Sequence, residues 1–87
     1  NKTNIMDKYE ISKLIEKHGN YRYIFMNEEE LRTELKKWCR QDLICWLKWN
    51  DPNGIYEDNQ SIKEIGCVMS YEVGVEIMIE QIIQKNA

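Results

Sequence analysis

The segment Ser70–Lys85 constrains this chain more than any other stretch. Read at about 100° per residue, Tyr71, Val75, Met78, Ile79, Ile82 and Ile83 share one broad face, while Val73 and Ile77, at i and i+4, fall on nearly the opposite side. Ser70 supplies an N-cap hydroxyl just before the first apolar residue. A helix with apolar residues on two sides must be contacted on two sides. The chain has 87 residues, enough for one domain near the small end of what folds alone. The second contact therefore comes from another helix of the chain or from another molecule.

The rest of the chain supplies further helices. Asn4, Asp7 and the spacing of Ile11, Leu14 and Ile15 predict a helix within Ile5–Lys17, stopped by Gly19. Tyr21–Met26 is aromatic and β-branched, and it reads as a short strand or extended linker. Asn27 is a good N-cap, with Glu30 at the capping-box position and Leu31, Leu35 and Trp38 at i, i+4, i+7, so a helix is expected over about 28–38. A break near Cys39–Gln41 separates it from an apolar helix ending at Asn50. Asp51-Pro52-Asn53-Gly54 then has the residues of a tight turn. Residues 55–60 read as loop, and Ser61 with Glu64 predicts one helical turn over Ile62–Ile65 ending at Gly66. Cys67–Met69 reads as extended and could pair with Tyr21–Met26.

The expected fold is all-α, a small bundle of about four helices with room for a minor two-stranded β ribbon. It is read as a single domain over 1–87, with an N-terminal helix and aromatic linker over 1–26 and a helical core over 27–87. The chain opens on Asn1 rather than Met, which reads as a fragment, with Met6 or Met26 as alternative natural starts.

Net charge is −3, which argues against general affinity for nucleic acid or an anionic membrane. The charge is unevenly spread. Residues 1–50 hold ten Lys/Arg against eight Asp/Glu, and residues 51–87 hold two against seven. No signal peptide or membrane-spanning run is visible. The three cysteines, Cys39, Cys45 and Cys67, form no disulfide framework, so a reducing, cytoplasmic setting fits best and the thiols are expected to be buried as small hydrophobes.

The residues offer little to catalysis or to cofactors. His18 is the only histidine, and no C-x-x-C or H-x-x-x-H spacing exists, so no metal site is expected. Asp51 and Asn53 fit a calcium loop built around Gly54, but Trp49 and Gln60 occupy its two outer ligand positions. A nucleophile–base pair would have to use His18, at the end of a charged helix, and the glycines form no phosphate loop. The expectation is a non-enzyme without cofactors.

What remains is recognition. Trp46 and Trp49, three residues apart, stand near a helix end; one of the two is expected in the core and the other, with Tyr56, in an aromatic contact patch, so Trp46, Trp49 and Tyr56 are the candidate surface, joined by Val73 and Ile77. The expected function is a protein-interaction or adaptor-like module, with self-association as the simplest form. The alternative is a small nucleic-acid-binding accessory protein using Arg32, Lys36, Lys37, Arg40 and Lys48 around the tryptophans.

Overall fold

The computed structural model describes residues 8–85, with side chains through residue 83. The fold is all-α. Among the described residues there are six helices and no strand: α1 (Lys8–Lys17), α2 (Tyr21–Ile24), α3 (Glu28–Leu35), α4 (Arg40–Asn50), α5 (Asp58–Glu64) and α6 (Tyr71–Lys85). The bundle of about four helices therefore becomes six, and the β ribbon does not form among the described residues: Tyr21–Ile24 is helical, and Cys67–Met69 is irregular connection.

Tyr21–Ile24 winds into a helical turn because it leaves α1 through a tight corner, in which the Tyr21 and Arg22 N–H groups donate to the carbonyls of His18 and Gly19. Its rings then find partners on the helices that follow, Tyr23 edge-on to Trp38 at 4.9 Å and Tyr21 edge-on to Trp49 at 5.1 Å. These tertiary contacts outweigh the local β propensity of the segment. The start signal at Asn4 and Asp7 lies outside the described residues. Gly19 follows the end of α1, but its φ is not positive, so the corner rather than a left-handed glycine cap ends the helix.

The start of α3 matches its sequence signature. The Glu30 N–H donates to Asn27 Oδ1 at 2.8 Å and the Asn27 N–H to Glu30 Oε1 at 2.9 Å, a reciprocal capping box. α3 ends at Leu35, short of Trp38, and α4 begins at Arg40, so the break near Cys39 is real. The turn after α4 closes through a Gly54 N–H to Asp51 carbonyl bond of 3.0 Å. α5 begins earlier than expected. Ser61 is an interior residue of the helix, its N–H already donating to Glu57 O, so Ser61 and Glu64 are not a capping pair and residues 58–60 are helix rather than loop.

α6 carries the fold. It packs mainly against α3 and α4, burying Met78, Ile79 and Ile82 on Leu31, Leu35, Leu43, Ile44 and Leu47. Gly74 is buried where a Cβ would stand 3.3 Å from Leu43 Cδ1 and 3.1 Å from Met69 Cε, so its bare backbone permits the close α4–α6 approach. Its start is capped by a Val73 N–H to Ser70 Oγ bond of 3.1 Å. Tyr71 on the first turn donates its hydroxyl to the Leu35 carbonyl at the end of α3.

A candidate docking groove

The groove is built by two short backbone devices. Gly66 adopts φ +94°, and its N–H donates to the Ser61 and Ile62 carbonyls, which terminates α5 and turns the chain. Ser70 then opens α6. Between them Cys67, Val68 and Met69 cross beside the outer face of α6. The result is a groove of about 300 Å³ with Ile65 and Val68 on one wall, Val73 and Ile77 on the other, and Ile55 and Met69 also lining it. Its walls are unusually bare. Of the residues lining it, Ile65 stands 62% exposed, Val68 45% and Val73 50%, and Ile62 on α5, at 57%, is exposed outside the lining. Apolar exposure concentrated in this way marks interaction surfaces.

Arg40 fixes the groove from behind. Its guanidinium donates to both Asp58 carboxylate oxygens, at 2.7 and 2.6 Å, and to the Met69 carbonyl at 3.2 Å. One side chain thus ties the start of α4 to the start of α5 and to the groove wall. The hydrogen bonds from Arg40 hold the Asp58 carboxyl below its ordinary range.

An acidic row borders the apolar one. Glu72, Glu76 and Glu80 lie one row aside from Val73 and Ile77 on α6, around a shallower depression of about 310 Å³ that shares both apolar residues. Glu76 is already matched by Arg32, whose nitrogens reach its two oxygens at 2.8 and 3.1 Å. That bidentate contact holds the Glu76 carboxyl below its ordinary value. Glu72 and Glu80 make no ion pair among the described residues.

The structure divides the aromatic patch expected from the sequence. Trp46 is buried in the core, with its indole N–H toward the Asn20 carbonyl at 3.4 Å. Tyr56 is buried too, donating its hydroxyl to Asp51 at 2.7 Å and accepting from Gln81 at 3.0 Å. Neither is available to a partner on this surface. Trp49 is half-buried between His18, at 4.8 Å between ring centres, and Tyr21. Val73 and Ile77 are on the groove. Ile65 and Val68 also line the groove and were missed, although both are apolar residues close to Gly66.

The basic set fares differently from its sequence reading. Arg32 pairs with Glu28 and Glu76, Lys37 with Glu34, Arg40 with Asp58 and Lys48 with Glu57. Lys36 makes no ion pair among the described residues. The cations therefore face carboxylates of their own chain rather than forming an open basic stripe.

The cysteines also depart from expectation. Cys39, Cys45 and Cys67 are all exposed and unpaired. Cys45 lies on the outer face of α4, where it accepts from Gln41 Nε2 at 3.5 Å, while Ile44, Trp46 and Leu47 turn inward. His18 is exposed, with Nδ1 accepting from the Asn20 N–H at 3.1 Å. Among the described residues no cluster of His, Cys, Asp and Glu could hold a metal ion, and no helix is long and apolar enough to cross a membrane. A polar hollow of about 360 Å³ beside Tyr23, Trp38, Asp42 and Cys45 is a further recess, and it lacks apolar exposure of the kind seen at the groove.

No family model, no curated protein and no solved structure matches this chain.

Proposed function

We propose that this chain is a non-enzymatic, adaptor-like protein-interaction module that docks a partner in the groove between the α5–α6 connection and the outer face of α6. The observation that carries this reading is the set of half-exposed side chains Ile65, Val68 and Val73 around one concave surface. The second apolar side of α6 is covered in part by the chain's own connection, and the rest of it is the docking face. A second copy of the chain is one partner of this kind. The three free, exposed thiols suit a reducing compartment such as the cytoplasm.

Selection of a random peptide library on the immobilised protein tests the proposal, with a Val73→Asp variant as the counter-target. Peptides enriched on the first and lost on the second are expected. Enrichment that ignores Val73 sinks the groove as the docking surface. The nucleic-acid alternative has less support, because the intramolecular ion pairs of Arg32, Lys37, Arg40 and Lys48 would have to be exchanged for phosphate.

A further inference from the structure

The groove's charge border narrows the kind of partner. We infer that its occupant is a basic amphipathic α-helix of another protein, an inference that rests on the docking surface proposed above. The groove has two walls, one of them a helix, which is the geometry that receives a helix by its apolar face. Glu72 and Glu80 stand eight residues apart on α6, about 12 Å along its axis, with Val73 and Ile77 beside them. A helix of about three turns spans that length. Its apolar residues at i, i+4 and i+7 enter the groove, and Lys or Arg one row to the side meets Glu72 and Glu80.

The same charges disfavour a second copy seated by two-fold symmetry. Where the two-fold sets the two α6 helices antiparallel, each copy's Glu72 and Glu80 would face the partner copy's acidic row. Glu76 contributes least to the attraction, because Arg32 already neutralises it. The helix α1 carries Lys8, Lys13 and Lys17, but Glu10 and Glu16 interrupt them, so it is a poorer match than a helix basic along one edge.

Two synthetic peptides of about 14 residues test this, sharing the same apolar positions and differing only in Lys or Glu along the flanking row. Binding is read by fluorescence anisotropy on the wild type, on Glu72→Lys/Glu80→Lys and on Val73→Asp, each first shown to be folded by circular dichroism. The Lys peptide is expected to bind the wild type about tenfold more tightly than the Glu peptide. That margin should shrink as salt rises from about 50 to about 300 mM. The double variant should reverse the preference, and Val73→Asp should lose both peptides. Equal binding of the two peptides, lost in Val73→Asp, overturns the basic helix and leaves the groove standing. Binding that survives Val73→Asp removes the groove itself. Failure of the wild type to bind either peptide overturns the basic helix, and the library selection then decides the groove independently. A dimer seen by light scattering that Val73→Asp converts to monomer makes the occupant a second copy and also overturns the inference.

Discussion

Two contacts on α6 differ in kind. Toward α3 and α4 the helix meets Leu31, Leu35, Leu43 and Leu47, all fully buried, with Gly74 letting the backbones approach. Toward the α5–α6 connection it meets Val68, Met69 and Ile65, and most of that apolar surface stays open. The first contact is held mainly by the shape of side chains, with the Arg32–Glu76 pair, the Tyr71–Leu35 bond and the Asn50–Gln81 bond at its edges. The second is held by polar and backbone devices, namely the Arg40–Asp58 pair, the Gly66 cap and the Ser70 cap. Stability and recognition are therefore assigned to different sides of one helix.

The largest test of that division is Leu47→Ala, which should cost about 3 kcal/mol because it empties a closed site. Urea denaturation measures it, and a cost below about 1 kcal/mol would mean the α4–α6 side is no tighter than the groove. Tyr56→Phe comes next. It strips the Asp51 and Gln81 partners of a buried hydroxyl and should cost about 1–2 kcal/mol. Burial first, and the bond to Asp51 second, push this hydroxyl above its ordinary value near 10.0. Its contribution is whole below that value and is lost as pH rises through the higher folded one. The alkaline loss of stability should thus be smaller in the Phe variant.

Smaller and more local is the effect of opening the Arg40 clasp. In Arg40→Ala, amide exchange should quicken across α5 and residues 65–70 while α3 keeps its protection. Acid should do the same to the wild type. The folded Asp58 carboxyl lies below its ordinary value of 3.8, so the contribution is full above that value and is lost as pH falls through the lowered one. Equal quickening in α3 would show that the two sides of α6 are not separable. The smallest expected effect is that of Ile65→Ala, within about 0.5 kcal/mol, since the side chain is mostly in water already. A larger cost would place Ile65 in the core and erase the distinction.

Much of the fold was legible where a local rule acts alone. Asn27 with Glu30, the break at Cys39, the turn at Asp51–Gly54 and the Ser70 cap all read correctly, because each is decided by a few neighbouring residues. Val73 and Ile77 were legible as a second apolar side because α6 is long enough to show its period. Trp46 and Tyr56 were misread because residue type cannot tell an interface anchor from a core one. Their burial depends on Asn20, 26 residues before Trp46, and on Gln81, 25 residues after Tyr56. α2 was misread because four residues show no period and their ring partners are distant in sequence. α5 was misread because Ser61 and Glu64 imitate a cap inside a helix that Arg40 helps to anchor from α4.

The Gly66 and Ser70 caps have a further consequence, for inheritance rather than mechanics. Gly66 fixes the path of the connection by backbone bonding and Ser70 by its hydroxyl, and Arg40 grips it through the Met69 carbonyl, which every residue type carries. The side chains of Ile65, Cys67 and Val68 are thereby largely released from folding duty. Substitutions there can drift, and with them the identity of whatever is recognised, while the scaffold is passed on unchanged.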